Sequence, residues 1–339
     1  MYTKTATTNG DTGRTLPPDA VLFGRSEAMA AVRLRATKTC QTSIPVLLCG
    51  DAGTGKETIA RWIHRHSSNA DGEFVKVNCA AIPNSLLESE LFGYEKGAFT
   101  GAHRTKPGRV ELAHNGTLFL DEITDLEMGL QSKLLQFLQD GRFSRIGGDS
   151  ETVVETRLIC ASNKNLEKEI EEGRFRADLF YRISVIQIHL PKLQQRAEDI
   201  PMLAEYFRGS YERQFSKRSE PVGLEVLRYL QNLNWHGNIR ELANAMARHV
   251  LIGPEAAWGQ IPGMAPRRKW ASAGAESGVP LRLVANEAIR EMERRAILEA
   301  LQAHKWNRRK AAEALKISYR ALIYKIRDAG LSSRRPPAT

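Results

Sequence analysis

The chain has 339 residues, of which 42% are hydrophobic and 26% charged, and its formal net charge is +10. This length exceeds that of most single domains, and the composition is that of an ordinary soluble protein. No apolar run approaches the roughly 20 residues that a membrane span needs, and the polar N-terminus lacks the apolar segment of a signal peptide. Four cysteines, Cys40, Cys49, Cys79 and Cys160, lack C-x-x-C spacing, which favours buried thiols over zinc ligands or disulfides. We therefore expect two or three cytoplasmic domains without a membrane segment.

The positive charge is concentrated near the C-terminus. Residues 281–339 carry 14 Lys and Arg against 6 Asp and Glu. A compact basic segment is typical of a protein that binds the phosphate backbone of DNA. A solvated pair of basic helices explains the charge equally well, so charge alone does not decide between the two.

The first half of the chain alternates between strand and helix patterns. Residues 1–20 have no apolar periodicity and are expected to form a flexible tail. Between residues 21 and 192, short apolar runs predict strands at Val46–Cys49, Phe74–Asn78, Thr117–Asp121, Arg157–Ala161 and Val185–His189. Amphipathic patterns predict helices at Glu57–His66, Ser85–Phe92, Leu130–Asp140 and Asn165–Glu172. The alternation predicts an α/β fold whose mainly parallel sheet is covered by helices on both faces.

The second half is predicted to be helical. Residues 193–252 lose the strand signals and take helical periodicity, which predicts a separate helical subdomain. Residues 253–281 are dense in Gly, Pro, Ala and Ser and are expected to form an interdomain linker. A last helical block occupies residues 282–331, and residues 332–339 are expected to be a flexible tail.

A glycine-rich segment follows the first predicted strand and leads into a predicted helix. Its residues are Gly50, Asp51, Ala52, Gly53, Thr54, Gly55 and Lys56, followed by Glu57 and Thr58. The backbone N–H groups of such a P-loop can turn toward phosphate oxygens, the helix N-terminus adds partial positive charge, and Lys56 can bridge the β- and γ-phosphates. The segment predicts a nucleotide site. It departs from the general pattern because Glu57 stands where a Ser or Thr hydroxyl usually binds Mg²⁺.

The predicted strand Thr117–Asp121 ends in the two carboxylates Asp121 and Glu122. Phosphoryl transfer needs an acidic ligand for Mg²⁺ and a base for the attacking water. We assign Asp121 to the metal and Glu122 to the base, with ATP and Mg²⁺ as the expected cofactors. An apolar run followed by Asp-Glu is often a strand that meets a solvated turn, but its position downstream of the P-loop favours the catalytic interpretation.

A second glycine-framed loop comprises Gly97, Ala98, Phe99, Thr100, Gly101 and Ala102. Two glycines around Phe99 suit a tight exposed loop that presents an aromatic side chain to a partner. On physical grounds alone, a turn whose Phe99 packs into the core is the favoured alternative. The GAFTGA sequence, however, resembles the signature loop of the sigma-54-dependent transcriptional activators.

This resemblance extends from about Phe23 to Leu331 and carries expectations for fold and function. It implies an AAA+ core with a helical lid, working as a hexameric ring of ATPase subunits. An acidic residue after the P-loop lysine is normal in that family. Which group then replaces the Ser or Thr hydroxyl as a ligand of Mg²⁺ is left open by the sequence. The resemblance also implies that Phe99 and Thr100 contact sigma-54 in the RNA polymerase holoenzyme.

Further site residues are assigned by the same resemblance. Asn78 resembles the residue that restrains the catalytic Glu122, and Asn163 resembles the sensor of the γ-phosphate. Arg176 and Arg182 match the arginine fingers, which act at the site of a neighbouring subunit. Without the resemblance, each arginine would be read as an ordinary surface charge.

In the predicted lid, Arg240 matches a second nucleotide sensor. The lid departs from the family at His236, where Pro is usual, and in the Leu190–Arg196 segment, which lacks the usual Pro-Leu-Arg-Glu-Arg. Both departures fall in structural connectors, so we expect altered lid geometry at most.

Residues 307–327 have the proportions of a helix-turn-helix. Asn307 and Ser318 are suitable N-caps, and a shared apolar core can form from Ala311, Leu315, Ile317, Leu322 and Ile326. The block resembles the Fis-type DNA-binding domain, whose second helix lies in the major groove. The candidate DNA contacts are Arg308, Arg309, Tyr319, Arg320, Tyr324 and Lys325.

Two departures and one open alternative remain in this block. Tyr319 and Tyr324 stand where basic residues are common, and Ala321 stands where Thr is common. The preceding helix, Glu287–Leu301, resembles the dimerising helix of the module. A helix that packs within its own domain is an equally serious interpretation of the same pattern.

The sequence thus predicts an enhancer-binding ATPase that opens sigma-54 promoters. Because 20 residues before the ATPase leave no room for a receiver or sensor domain, it resembles short members of the family, for which regulation is expected through expression level or through a separate inhibitory protein. One rival is a DNA-binding regulator that uses nucleotide to set its oligomeric state. The other is an AAA+ remodeller of a different substrate.

Overall fold

The computed structural model describes residues 16–258, 301, 307–314, 319 and 322. The chain forms two compact units, Met1–Pro266 and Arg267–Thr339. Among the described residues, no helix has the length and apolar character required to cross a membrane. The four cysteines are free thiols, and Cys40, Cys79 and Cys160 are buried.

In the first unit, strands and helices alternate and are followed by helices alone. The strands are β1 Val46–Cys49, β2 Phe74–Asn78, β3 Gly93–Tyr94, β4 Lys106–Pro107, β5 Thr117–Asp121, β6 Arg142–Ser144, β7 Glu151–Val153, β8 Arg157–Ser162 and β9 Ile186–His189. The helices are α1 Asp19–Phe23, α2 Glu27–Cys40, α3 Lys56–Arg65, α4 Asn84–Phe92, α5 Arg109–Leu112, α6 Met128–Asp140, α7 Leu166–Glu171, α8 Ala177–Ile183, α9 Ile200–Phe215, α10 Leu224–Gln231, α11 Asn238–Ile252 and α12 Pro254–Trp258. Short 3-10 turns begin at Cys79, Ile123 and Leu193.

The central sheet has five parallel strands in the order β2-β5-β8-β1-β9. In β5, Leu118 and Leu120 pack into an apolar cluster on one face, whereas Phe119 packs into the cluster on the other. Successive side chains of a strand alternate between faces, so a sheet covered on both sides needs a continuous apolar run. The predicted α/β fold is confirmed, and β1, β2 and β5 have the predicted bounds.

A helical lid follows the sheet. Its helices, α9 to α12, enclose a separate apolar cluster that includes Leu203, Trp235 and Met246. Residues 254–258, which the sequence assigned to the linker, instead form α12 and bury Trp258 in this cluster. The Gly- and Pro-rich composition pointed to a linker, but burial of Trp258 favours continued helix. Asp19 and Ala20, which the sequence assigned to the N-terminal tail, form the first residues of α1.

In the second unit, a helix spans Arg308–Ala314. Oδ1 of Asn307 accepts hydrogen bonds from the backbone N–H groups of Arg309 and Lys310, as expected of its predicted N-cap role. Ala311 and Leu322 of the predicted core are buried. The predictions for residues 287–300 and for Leu315, Ile317, Ser318, Ala321 and Ile326 lie outside the described residues.

Candidate functional site

The carboxyl ends of the parallel strands bring the predicted site residues to one edge of the sheet. The P-loop follows β1, Asn78 ends β2, Asp121 ends β5, and Asn163 follows β8. Asn78 and Asp121 are register partners on adjacent strands. Ligands of open α/β sheets bind at this edge, so the topology gathers residues that are more than 100 positions apart in sequence.

The P-loop winds around its own lysine. Nζ of Lys56 donates hydrogen bonds to the carbonyl oxygens of Gly50 at 2.7 Å and Asp51 at 3.3 Å, and it lies 3.7 Å from Oε1 of Glu122. Helix α3 begins at Lys56, directly after Gly55 in the left-handed conformation. The helix N-terminus and the ammonium group therefore face the same space, as a phosphate site requires.

Glu122 is held in an unusual backbone conformation. Its φ is 54° and its ψ 54°, the left-handed region that non-glycine residues seldom adopt. Oε2 of Glu122 accepts a hydrogen bond from the backbone N–H of Asn163 at 3.1 Å. Strain of this kind persists where surrounding contacts fix a residue, and such positions cluster at functional sites. The predicted base and the predicted sensor are thus in direct contact.

Asn78 makes contacts other than the predicted one. Its Oδ1 accepts hydrogen bonds from the N–H groups of Ala80 and Ala81 at 3.1 and 3.2 Å, which caps the following turn. The side chain is therefore engaged within its own segment. Its role as a restraint on Glu122 stays a prediction, which the side-chain N–H groups of Asn78 would have to perform, because Oδ1 is the atom that caps the turn.

Glu57 and Asp121 converge on a lysine that sequence reasoning missed. Nζ of Lys76 lies 2.6 Å from Oε2 of Glu57 and 3.6 Å from Oδ2 of Asp121. The two carboxylates therefore already surround a single cation position. Oxygen ligands of this kind are those that Mg²⁺ takes in nucleotide sites, usually one or two carboxylates together with phosphates. The donor set fits a Mg²⁺ ion.

The lid is bonded directly to the P-loop. The Asn238 amide donates to the carbonyl of Ala52 at 3.0 Å, and the backbone N–H of Ile239 donates to that of Gly53 at the same distance. A Cβ at Gly53 would lie 2.2 Å from the carbonyl oxygen of Gly237, so this approach requires glycine. The lid and the P-loop are therefore in direct backbone contact, so a change in the position of the lid would act on the P-loop.

Arg196 provides a second, buried link between lid and P-loop. Its Nη2 donates to the carbonyl of Thr54 at 2.9 Å. Burial lowers the pKa of this guanidinium to about 10, with the nearby Asp199 acting in the opposite direction. Asp199 in turn accepts hydrogen bonds from Arg25 and Ser26, so one cluster ties the N-terminal segment to the lid.

A cavity of about 1120 Å³ lies between the sheet edge and the lid. Its lining includes the P-loop from Ala52 to Thr58, the carboxylates Asp121 and Glu122, and Arg240 from the lid. Apolar side chains, among them Val21 and Leu22, line it as well. A cavity of this size, lined both by the P-loop and by apolar side chains, suits a nucleotide.

The two predicted arginine fingers lie at α8. Arg176 forms paired hydrogen bonds with Asp178 at 2.9 and 2.7 Å, and its backbone N–H donates to the buried Gln131. The guanidinium of Arg182 donates to the carbonyl of Leu138 at 2.7 Å and is exposed. Among the described residues, the lining of the cavity includes neither arginine. Their position agrees with a role at a neighbouring subunit's site, which stays a prediction.

The predicted partner loop lies between β3 and β4. Phe99 is 45% exposed and rests against the ring of Tyr94 at 4.9 Å, so the alternative in which it enters the core is wrong. Gly97 and Gly101 have φ values of 88° and 105°, and an added Cβ would meet no atom within 4 Å at either. These glycines are therefore required for backbone conformation rather than for space.

Arg145, which sequence reasoning also missed, supports the base of this loop. It donates to Oε1 of Glu95 at 2.7 Å, just before the loop, and to both carboxylate oxygens of Glu111 on α5 at 2.9 and 2.6 Å. These hydrogen bonds hold the pKa of Glu111 below its usual range, against the opposing effect of partial burial. The loop base is thus tied to the hairpin formed by β6 and β7.

Three of the predicted DNA contacts are described. Arg309 and Tyr319 are exposed and Arg308 is partly exposed, so all three side chains reach the surface of the second unit. Arg320, Tyr324 and Lys325 lie outside the described residues. The predicted base and phosphate contacts stay predictions.

Comparison with family models matches three segments of the chain. Residues 22–189 match the sigma-54 interaction domain, residues 194–258 match the AAA+ ATPase lid domain, and residues 288–328 match the bacterial regulatory proteins of the Fis family. The second match includes all of α12 and ends at Trp258.

Curated relatives share most of this length. The regulatory protein AtoC of Escherichia coli is 42% identical over 313 residues, covering 91% of this chain and 68% of AtoC. The transcriptional regulator NtrC of Salmonella typhimurium is 39% identical, covering 93% of this chain and 71% of NtrC. The Nif-specific regulatory protein of Herbaspirillum seropedicae is 47% identical over 227 residues, covering 67% of this chain and 42% of that protein.

Solved structures agree with these matches. NtrX from Brucella abortus, crystallised with ADP and with ATP, is 33% identical, with a TM-score of 0.64 in both complexes. The likeness covers 91% of this chain and 69% of NtrX. The phosphate site, the helical lid, the exposed GAFTGA loop and the three matched domains together leave one assignment: the chain belongs to the sigma-54-dependent transcriptional activators and is an AAA+ ATPase with a Fis-type helix-turn-helix.

Proposed function

We propose that this protein binds an enhancer-like DNA site, assembles with ATP into a hexameric ring, and presses its GAFTGA loops onto sigma-54 to open promoters. The observation that carries the proposal is that the nucleotide cavity and the exposed Phe99 loop belong to the same α/β unit. Hydrolysis and loop movement can therefore be coupled through one packed body. A DNA-binding protein that acts on RNA polymerase works in the cytoplasm, which is the compartment we propose.

In this proposal, the chain's own residues divide the chemistry of ATP hydrolysis. Lys56 and the P-loop N–H groups bind the phosphates, and Glu122 takes a proton from the attacking water. Asp121 and Glu57 supply oxygen ligands to Mg²⁺, which neutralises phosphate charge when bound. Asn163 reports on the γ-phosphate through its contact with Glu122, and Arg240 contacts nucleotide from the lid.

The site is completed by a neighbouring subunit. Arg176 and Arg182 would insert their guanidinium groups into the adjacent cavity and stabilise transition-state charge, an effect worth about 10³–10⁵ in rate in other phosphoryl-transfer proteins. ATPase activity should therefore depend on assembly. A separate inhibitory protein that prevents this assembly is the regulator we propose.

The proposal is tested by open-complex formation on a sigma-54 promoter that carries an upstream binding site. Wild-type protein with ATP should open the promoter, whereas a non-hydrolysable analogue should not. A sigma-70 promoter is the matched control and should not respond. ATP hydrolysis without promoter opening or sigma-54 binding would favour the remodelling of another substrate.

A further inference from the structure

The ammonium group of Lys76 is shared between the carboxylates of Glu57 and Asp121, the two residues that we propose as Mg²⁺ ligands. Nζ is 2.6 Å from Glu57 and 3.6 Å from Asp121, and all three side chains are at most 31% exposed. Lys76 itself lines the cavity. It is therefore an internal cation at the position where the chain's oxygen ligands converge.

Glu57 is neutralised from a second side as well. Nε of Arg61 donates to its Oε1 at 3.0 Å, and the Arg61 guanidinium lies over the Phe74 ring at 4.6 Å. Each carboxylate oxygen of Glu57 therefore faces a cationic side chain, Oε1 that of Arg61 and Oε2 that of Lys76.

The position of Glu57 makes this neutralisation consequential. Glu57 is the second residue of α3, at the N-terminal end of the helix where we propose that phosphate binds, and it directly follows Lys56. An unpaired carboxylate there would oppose the negative charge of a nucleotide, while it would attract a divalent ion. The ammonium group of Lys76 offsets the repulsion between Glu57 and the nucleotide. It also competes with a divalent ion, because it occupies the carboxylate oxygens that the ion would bind.

We propose that Lys76 is a positioning residue that acts as a built-in counter-ion for Glu57 and Asp121 and thereby limits how strongly nucleotide binding depends on Mg²⁺. The inference rests on the proposed use of Mg²⁺ at this site. Binding linkage requires that the effect of Mg²⁺ on nucleotide affinity equals the effect of nucleotide on Mg²⁺ affinity. Removing the internal cation therefore weakens metal-free nucleotide binding and enlarges the gain that Mg²⁺ provides.

The experiment measures the Kd of ADP by titration calorimetry, once in EDTA and once with Mg²⁺. The ratio of the Kd in EDTA to the Kd with Mg²⁺ is then compared between wild type and variants. In Lys76→Met the ratio should rise about tenfold or more over wild type, chiefly because the affinity in EDTA falls. Lys76→Arg keeps the charge and should stay within about twofold of wild type. Lys168→Met removes an exposed lysine of α7 and is the matched control with an unchanged ratio.

Two outcomes separate this role from the use of Mg²⁺ itself. A wild-type ratio above one that Lys76→Met leaves unchanged overturns the role of Lys76 alone. A ratio of one in both proteins overturns the use of Mg²⁺ together with it. If Lys76→Met does not fold, Lys76→Gln, which keeps a hydrogen-bond donor but removes the charge, takes its place: the ratio should again rise above wild type, and an unchanged or lower ratio overturns the inference.

Discussion

The backbone N–H of Asn163 donates a hydrogen bond to the carboxylate of Glu122, across the gap between the ends of β8 and β5. Glu122 also lies 3.7 Å from the P-loop lysine, so its two oxygens are directed to different parts of the site. A general base must be fixed within reach of its water. The left-handed backbone conformation of Glu122 is the conformational strain that accompanies this placement.

Replacement of this carboxylate should separate catalysis from binding. In Glu122→Gln the amide keeps the size of the side chain but cannot take a proton, so we expect ATP turnover to fall by about 10²–10⁴. The Kd of ADP should change by less than about threefold, because the P-loop contacts remain. Steady-state phosphate release and calorimetry measure the two quantities. Glu225→Gln, on the exposed surface of α10, is the control, and unchanged turnover in Glu122→Gln would refute the assignment.

Mixed rings should reveal whether the arginine fingers act between subunits. Arg182 is exposed and its guanidinium donates to a backbone carbonyl, so Arg182→Ala should fold normally while losing about 10³ or more in turnover. When this variant is mixed with Glu122→Gln, some interfaces combine the intact Glu122 of an Arg182→Ala subunit with the intact Arg182 of a Glu122→Gln subunit. Phosphate release should then exceed that of either variant alone, and a mixture no faster than its components contradicts action in trans.

Loss of Arg145 should uncouple hydrolysis from promoter opening. Arg145→Ala leaves Glu95 and Glu111 without the guanidinium that both share, so the base of the Phe99 loop loses its charged support. We expect open complexes formed per ATP hydrolysed to fall about tenfold or more, with the Kd of ADP unchanged. Arg142→Ala removes an exposed partner of Glu151 on the neighbouring strand and should leave coupling intact. Equal losses in both variants would count against a specific role for Arg145.

The exposed Arg309 should contribute phosphate contacts rather than sequence preference. In Arg309→Ala the affinity for DNA should fall to a similar extent on different sequences, and the slope of log K against log salt should lose about one unit. Asn307→Ala removes the helix cap and should cost about 0.5–2 kcal/mol of stability with no change in slope. Fluorescence anisotropy at several salt concentrations makes the comparison. A slope equal to wild type would remove Arg309 from the DNA interface.

Local patterns were sufficient to predict most of the ATPase fold. The continuous apolar runs of β1 and β5 indicated their bounds, because strands buried on both faces admit few polar residues. The end of the lid was assigned less well, since burial of Trp258 outweighed the Gly and Pro residues around it. The two-residue strands β3 and β4 have no signal of their own, because their pairing depends on the loop they enclose.

The candidate site also contains some residues that the sequence predicts and others that it does not. Residues adjacent to a strand end, such as Lys56, Asp121 and Glu122, can be predicted because topology alone brings them to the carboxyl edge. Lys76 and Arg145 could not, because their roles depend on carboxylates between 19 and 50 residues distant that meet them through tertiary packing. For a lysine in the middle of a strand, the neighbouring sequence does not indicate which carboxylates it will contact.

The most direct test of the account compares wild-type protein with Thr100→Ala for ATP hydrolysis and for open-complex formation on a sigma-54 promoter. Thr100 lies in the exposed loop between Gly97 and Gly101, away from the residues that line the nucleotide cavity. We predict that the variant hydrolyses ATP at a rate within about threefold of wild type but opens no promoter, since we propose that this loop is the element that contacts sigma-54. Promoter opening by Thr100→Ala at the wild-type level would contradict the claim that this loop couples hydrolysis to sigma-54.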